Sequence, residues 1–352
     1  MIELESVWED YGLAELEEGM QSLFPDYQLS LSKLLEQILE GDILGALSGF
    51  LQEVIAAMTV SATGMKNILV WLVVLGVVAA LMTHFIEIFD KHQIADLGFY
   101  FIYLLTTAIL LKSFGTIIQT ATETIENIVV FVKLLIPTYL VVVGMATGTT
   151  TVSAYYQLLL LLILGVQKIL SGVVLPLVYS LCLLTLINGI WIEEKLSLLI
   201  GLLEKCIGWI LKAAIGIVTG ISLFQAVVTP AIDSVKANTL QKAISAIPGV
   251  GNVADGVVEL VIGSAVVIKN SVGIVLLILL LVMCAAPLLE IFLVSLLLKG
   301  AAAFMGIVSN KRITNCVDKT GDVGMLLFRT TATAMLLFVI TLSIVAATTN
   351  RG

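Results

Sequence analysis

Apolar runs long enough to cross a lipid bilayer dominate this 352-residue chain. As a helix, Ala154–Ile187 would measure about 50 Å, which exceeds the ~30 Å hydrocarbon core of a membrane. Hydrophobic residues make up 59% of the chain and charged residues 12%, about half the charged fraction usual in soluble domains. A soluble domain of this length could not bury so much apolar surface. The sequence therefore predicts an all-α, polytopic integral membrane helical bundle.

An acidic segment precedes this membrane body. Residues 1–62 are predicted to form an amphipathic extramembrane arm, and residues 63–350 the transmembrane domain. Lys33 is the only base among the first 60 residues, which carry a large excess of Asp and Glu. Apolar residues of this segment, Trp8 and Tyr11 among them, recur every three or four positions, as in a surface helix. Two interpretations stay open: an arm packed on the membrane body, or a docking surface for a partner. No basic patch favours nucleic acid.

About six spans and two further helices are predicted in the membrane domain. Thr116–Pro137 and Thr229–Pro248 are more polar than the other segments, and each ends in an Ile-Pro pair. Because polar segments cross lipid poorly, these two are predicted to be re-entrant or interfacial elements. The predicted spans are Ile68–Phe89, Asp96–Phe114, Ala154–Ile187, Leu199–Phe224, Val257–Leu298 and Val323–Ala347.

The order of these segments suggests a weak internal repeat over about 94–187 and 197–298. Each half has a span, a polar Ile-Pro helix, a turn of small residues and a long apolar helix. That last helix carries a lysine four residues before a glycine in both halves. Repeats that run in the same direction are one arrangement found in transporters. Prolines are predicted to break or kink the helices: Pro137, Pro176, Pro248 and Pro287.

The distribution of basic residues predicts the topology. Loops 90–93, 193–195 and 310–312 carry Lys or Arg, and the positive-inside rule assigns such loops to the cytoplasm. One span separates the arm from the first of these loops, so the arm is predicted to lie outside the cytoplasm. That placement favours a signal peptide that has been removed.

Charged side chains within the apolar segments are the candidate site. A charge at the bilayer centre costs roughly 2.5–3.5 kcal/mol on insertion scales, so it normally faces a bundle interior, a partner or water. The alternative is that charged side chains near the ends of a span extend to the membrane–water interface. Glu259 and Lys269 could face one another, or pair with Lys168 and Glu290. The candidate pathway or bundle-interior charges are Lys133, Lys168, Glu259, Lys269, Glu290 and Arg329.

Enzyme signatures are absent from the sequence. It contains no phosphate-binding GxxxxGK[ST] loop, no HExxH zinc motif and no GxSxG nucleophile motif. We therefore predict no enzymatic activity, no catalytic residue, no metal site and no cofactor. Gly216 and Gly220 permit close helix approach, either for packing within the chain or for association of copies into a homo-oligomer.

The stretch 236–303 resembles the stage III sporulation protein AE family. The resemblance rests on IPGVG (247–251), IKNSVG (268–273) and APLLEI (286–291), and extends more loosely over about 60–350. It implies a multi-pass protein of endospore-forming bacteria, in the mother-cell membrane facing the forespore. The implied partners are membrane lipids and the other subunits of a secretion-like complex, including ring-forming membrane proteins and a cytoplasmic ATPase. The implied role is a transport or channel core; the alternative is a non-conducting scaffold.

Overall fold

The computed structural model describes residues 92–147, 161–191, 195–244, 251–308 and 310–348, with a few isolated positions between 37 and 78. These described residues are helical and contain no strand, so the all-α prediction is confirmed for them. The acidic arm, the predicted span Ile68–Phe89 and Pro248 lie outside the described residues. The five helices are α1 (His92–Thr147), α2 (Leu161–Asn188), α3 (Ser197–Ile244), α4 (Gly251–Val308) and α5 (Lys311–Thr348).

The last helix of the chain lies at the centre of the bundle. α5 packs against each of the other four helices. α1 packs on both α4 and α2, and α2 packs on α3. α3 and α4 flank α5 without packing extensively on each other. The surrounding order is therefore α4, α1, α2, α3, and the described residues leave one side of α5 uncovered between α3 and α4.

Ring contacts fix the relative direction of α1 and α5. At one end, the guanidinium carbon of Arg312 lies 4.2 Å from the centre of the Phe99 ring. At the other end, the rings of Phe131 and Phe338 meet edge to face with centroids 6.0 Å apart. Between these contacts, Ile117 lies beside Gly324. α1 and α5 therefore run parallel, and the contacts at Ile117 and at Phe131 share one offset between facing residues.

α2 and α4 run the opposite way. Phe292 of α4 contacts Phe328 of α5 with ring centroids 5.4 Å apart, while Lys299, further along α4, reaches Asp322, which is earlier on α5. The Gln167 side chain of α2 donates to a carbonyl near the far end of α5. Helices α1, α3 and α5 thus start at one end of the bundle, and α2 and α4 return to it.

α1 is one uninterrupted helix, and the predicted separation of Asp96–Phe114 from Thr116–Pro137 is wrong. A single buried stripe runs across the expected boundary and packs on the core on both sides of it. Gly115 alone costs only about 1 kcal/mol in a helix. Pro137 also lies within this helix. The threonines near the boundary keep the backbone helical by bonding to the carbonyl four residues earlier: Thr116, Thr120, Thr122 and Thr124.

Two further boundaries differ from the prediction. α3 continues as one helix through the expected gap between Phe224 and Thr229. α5 begins at Lys311, well before the predicted start at Val323. The mean hydropathy of its first turns is too low to predict a membrane span. These turns nevertheless pack on α4, where Lys299 donates a hydrogen bond to Asp318.

α2 contains a π-helical turn, Leu170–Val174, directly before the regular helix Leu175–Asn188. Pro176 sits in the first turn of that regular helix and has no N–H to donate to the carbonyl of Gly172. The backbone widens instead, and the N–H of Leu175 donates to the carbonyl of Leu170. The predicted irregularity therefore falls on the turn that precedes Pro176.

Four helices of the described residues are long and apolar enough to cross a membrane: Gly98–Phe131, Leu161–Asn188, Leu277–Ile307 and Lys311–Ile340. α3 is not among these four. Its first half carries three exposed charged residues, Glu204, Lys205 and Lys212. The count of six spans and the internal repeat stay predictions.

The three basic loops meet at one end of the bundle. Arg312 follows the turn between α4 and α5, and its guanidinium donates to the carbonyl of Ile190 in the loop after α2. The same guanidinium lies over Phe99, near the start of α1. The described parts of all three loops therefore share one side, as the charge pattern predicts. That this side is the cytoplasm stays a prediction.

Candidate functional site: charged groups within the membrane-length helices

The structure scatters the predicted charges over several surfaces. Lys133, Lys168 and Arg329 are exposed, so none of these three lies in the interior of this chain's bundle. Glu259 and Lys269 both lie on α4, so they do not face one another across helices; their side chains are outside the described residues. A pathway or partner role for the set stays a prediction.

Glu290 is half-buried in the groove between α4 and α1. Among the described side chains, its electrostatic neighbour is Glu123 of α1. The suggested pairing of Glu290 with Lys269 stays a prediction, because the side chain of Lys269 lies outside the described residues. Glu123 accepts a 2.9 Å hydrogen bond from the amide of Gln119, one turn earlier. Two carboxylates from different helices therefore approach within a membrane-length segment. The arrangement favours an opposite charge or water beside them.

A three-charge cluster joins α4 to α5. The ammonium of Lys299 lies 3.0 Å from a carboxylate oxygen of Asp318 and 2.6 Å from one of Asp322. The side chains are partly exposed, at 34% for Lys299, 46% for Asp318 and 54% for Asp322. One lysine between two aspartates leaves the cluster with a net charge of about −1. The cluster joins α4 to α5 by ion pairs and also places negative charge at the surface of the bundle.

Close backbone packing holds this cluster in place. A Cβ atom on Gly321 would lie 2.6 Å from Cγ of Lys299 and 3.2 Å from the carbonyl oxygen of Ser295. A Cβ on Gly324 would meet the side chain of Ser295. Ser295 itself is buried and bonds to the carbonyl of Ile291. Glycine at both positions lets α5 approach α4 closely enough for the three charges to meet.

Sequence reasoning missed this cluster, although a signal was present. Asp318 and Asp322 are one turn apart and so share a face of α5. Lys299 precedes the short turn at 310 by about as many residues as Asp322 follows it. In an antiparallel helical hairpin, residues at equal distances from the turn face each other. The rule applies only after the two helices have been identified as a hairpin. The predicted start of α5 at Val323 left Asp318 and Asp322 outside the helix, so the hairpin was not identified.

Gln167 is the most deeply buried polar side chain of α2. Its amide nitrogen donates a 2.8 Å hydrogen bond to the carbonyl of Ala334. Its amide oxygen is buried and has no partner among the described residues. Lys168, the next residue, points outward and is exposed. α2 therefore carries a polar contact to the centre of the bundle beside a charge on its outer face.

The loop end of the bundle is closed by a polar network. The hydroxyl of Tyr103 donates to the carbonyl of Leu186 and lies 3.3 Å from the sulfur of Cys316. Gly189 passes so close to this hydroxyl that any side chain there would clash. The Asn188 side chain accepts a 2.8 Å hydrogen bond from the N–H of Leu196 and so ties the loop to the helix end.

A small cleft opens beside this network. Its volume is about 30 Å³, enough for water. Thr185, Asn188, Arg312, Asn315 and Lys319 line most of it. The Arg312 ring contact and its bond to the loop carbonyl occupy one side of the guanidinium. We interpret the network as the structural closure of the bundle at this end.

The remaining predicted residues have simple placements. Pro287 lies inside α4, which continues through it. Gly216 and Gly220 are exposed, and a Cβ at either would meet nothing within 4 Å. The described residues therefore provide no helix packed on these two glycines, and both interpretations stay predictions. The described residues contain no group of three or more potential metal ligands.

A bundle of membrane-length helices around a polar central helix, with charges on its outer faces, is the fold of a polytopic helical membrane protein. The chain belongs to the stage III sporulation protein AE family, whose model matches residues 29–349. It is 22% identical over 264 residues to stage III sporulation protein AE of Bacillus subtilis (strain 168). That match covers 74% of this chain and 66% of the relative, just under two thirds of its length. No solved structure matches the chain.

Proposed function

We propose that this protein is a multi-pass component of the sporulation secretion or channel complex that links the mother cell and the forespore, and that it forms a transport or channel core. Its partners in this proposal are ring-forming membrane proteins and a cytoplasmic ATPase. The protein would lie in the mother-cell membrane, with the basic loops in the cytoplasm and the acidic arm outside. Family membership supports the sporulation setting.

The observation that carries the transport role is the outer face of α2. Lys168 is exposed on a helix of membrane-spanning length. An ammonium group in hydrocarbon costs several kcal/mol, so water or protein must cover it. The outer face of α2 is mixed: Gly165, Gly172 and Ser180 are exposed and small or polar, and Leu161, Ile169, Val173 and Tyr179 are exposed and large.

The outer face of α4 has the opposite character. Leu296, Phe304 and Ile307 are exposed there, and each is a large apolar side chain. Such a face is suited to lipid, whereas the outer face of α2 carries the ammonium of Lys168, which needs water or protein beside it. We therefore place the pathway along α2, outside this chain's own core, where neighbouring subunits would complete its wall.

Substitutions of Lys168 test the transport role in sporulating cells that carry this chain as their only copy. We expect Lys168→Leu to reduce heat-resistant spores at least tenfold while the protein accumulates normally in the membrane. Lys168→Arg should keep most of the yield because it keeps the charge. Leu296→Met is the matched control on the lipid-facing helix and should change nothing. Full spore yield from Lys168→Leu would refute the transport role of this face.

A non-conducting scaffold is the second candidate. The exposed Lys133 and the uncontacted Gly216 and Gly220 favour it, because all three offer surfaces that the described residues of this chain do not cover. A scaffold would anchor ring-forming partners and conduct nothing.

Deleting residues 1–60 separates the two roles. If the protein is a scaffold that holds its partners through the arm, the deletion should abolish co-purification of the complex. If the protein is a conducting core, the purified and reconstituted variant should still pass small polar dyes across vesicles. Assembly is read from co-purified subunits and conduction from dye efflux.

A further inference from the structure

α1 presents a charged stripe on its outer face. Lys112, Gln119, Glu123 and Glu126 are all exposed and recur at spacings that place them on one side of the helix. The stripe lies about half a turn around the helix from Phe114, which is fully buried in the core. It therefore points away from α5, and Glu123 lies near the groove between α1 and α4 that holds Glu290.

α5 presents a second charged stripe, in the gap between α3 and α4. Asp318, Asp322 and Arg329 lie along one side of the helix and are partly or largely exposed. Arg329 lies about half a turn around α5 from Phe338, whose ring contacts Phe131 of α1. The stripe on α5 thus faces away from α1. The two stripes are on opposite sides of the molecule.

The two stripes lie at the same depths. The contacts Ile117 with Gly324 and Phe131 with Phe338 set one register between the parallel helices. In that register Lys112 is level with the segment between Asp318 and Asp322. Glu123 is level with Thr330, the neighbour of Arg329 in sequence.

The order of charge along the stripes is opposite. From the loop end, the α1 stripe is positive at Lys112 and then negative at Glu123 and Glu126. The α5 stripe is negative at Asp318 and Asp322, where Lys299 offsets only one of the two carboxylates, and then positive at Arg329. Within the described residues, Lys112, Glu126 and Arg329 form no ion pair. Each stripe therefore offers, at each depth, the charge that the other lacks.

We propose that the α1 stripe of one copy docks on the α5 stripe of a second copy of this chain. Copies related by rotation about the membrane normal keep the same depth, so Lys112 would meet the two aspartates and Glu123 and Glu126 would meet Arg329. Because the two stripes differ and point in opposite directions, the contact is head-to-tail, which generates a ring or a row. Both complementary stripes are on one chain, so a second copy satisfies them without any other partner.

Self-association goes beyond the proposed function and does not depend on it. A scaffold could assemble in the same way as a conducting core. The experiments below use purified full-length protein in lipid nanodiscs and vesicles, and none of them reads transport.

Charge reversals test the contact by counting subunits with single-molecule photobleaching. Arg329→Glu alone, and Glu123→Lys combined with Glu126→Lys alone, should each lower the fraction of oligomers at least fivefold. A mixture of the two variants should recover it, with the two kinds of subunit in equal numbers. At the depth of Glu123 and Arg329, one variant has a negative charge on both its α1 and α5 stripes, and the other has a positive charge on both. In the mixture, every contact between unlike subunits therefore joins a negative stripe to a positive one. Arg329→Lys is the control and should associate like the unaltered protein.

Crosslinking tests the geometry without altering any charge. Thr116→Cys on α1 and Met325→Cys on α5 lie within the two stripes at similar depth. In a Cys206→Ser background, oxidation of this pair should give a ladder that extends beyond dimers. Thr116→Cys with Leu296→Cys is the matched control and should give none. A monomer at every protein density, a product that stops at the dimer, or a ladder that needs another protein would each overturn the proposal.

Discussion

At the scale of single residues, the close contact of α4 with α5 depends on two positions of α5 that have no side chain. Gly321 and Gly324 have no side chain, and the atoms of Lys299 and Ser295 occupy the space that a Cβ would need. The same approach brings the ammonium of Lys299 to Asp318 and Asp322. Close packing and the ion cluster therefore stabilise the same stretch of the hairpin.

Gly321→Ala should destabilise the protein by about 1–3 kcal/mol, because its methyl group would press on backbone atoms of Ser295 and Lys299 that cannot move freely. Gly208→Ala is the control in the interior of α3, where a Cβ meets nothing within 4 Å. It should be neutral or stabilising by up to about 1 kcal/mol. Thermal unfolding in detergent micelles measures both. Equal stability of the two variants would contradict the close approach at Gly321.

Lys299→Met should destabilise the hairpin by about 1 kcal/mol, since interhelical polar contacts in membrane proteins contribute modestly. The loss arises because Asp318 and Asp322 would repel each other without the ammonium between them. Adding Asp322→Asn to Lys299→Met should recover part of the loss. The same unfolding assay gives the answer, and no recovery in the double variant would mean that Lys299 acts through packing alone.

At the scale of helices, the face on which a polar residue lies matters more than its contribution to the mean hydropathy of the segment. The charged and amide side chains Lys112, Gln119, Glu123 and Glu126 of α1 lie on its outer face. Its buried face from Ile102 to Phe131 is apolar apart from three hydroxyl residues, Thr106, Ser113 and Thr124. In α5 the polar residues serve the interior: Thr320, Thr330 and Thr331 are buried, and each donates to the carbonyl four residues earlier. The central helix can therefore be polar because its hydroxyls are satisfied within its own backbone.

The π turn in α2 should depend on Pro176. Pro176→Ala supplies the N–H that the carbonyl of Gly172 lacks, so the segment can become regular α-helix. We expect amide hydrogen exchange of residues 170–175 to slow at least threefold, measured by mass spectrometry in nanodiscs. Ser180→Ala, on the same face, is the control. Unchanged exchange in Pro176→Ala would mean that packing around Leu170, and not the proline, determines the turn.

The sequence predicted the helical class of the described residues, because apolar runs of this length have few alternatives. It did not predict the continuity of α1 and α3, since averaging along the chain hides which face a polar residue occupies. Charges such as Lys168 could be found as anomalies. Their surroundings could not, because the neighbours of Glu290 and Lys299 depend on the register between helices that are distant in sequence.

At the scale of the whole molecule, three of the charges that sequence analysis singled out, Lys133, Lys168 and Arg329, lie on outer faces of the bundle. Arg329 lies in the gap between α3 and α4, and Lys168 on the outer side of α2. A single chain surrounded by lipid would leave both in hydrocarbon. In the proposed function, water or protein covers these faces, and the outer face of α4 is left for lipid.

Thiol labelling in intact membranes tests this requirement most directly. In a Cys206→Ser background, Lys168→Cys and Leu296→Cys are compared for reaction with a hydrophilic maleimide that does not partition into lipid. Both positions are exposed on membrane-length helices, and only their proposed surroundings differ. We predict labelling at position 168 at least tenfold faster than at position 296. Equally slow labelling at both positions would contradict the account, because Lys168 would then face lipid like its apolar control.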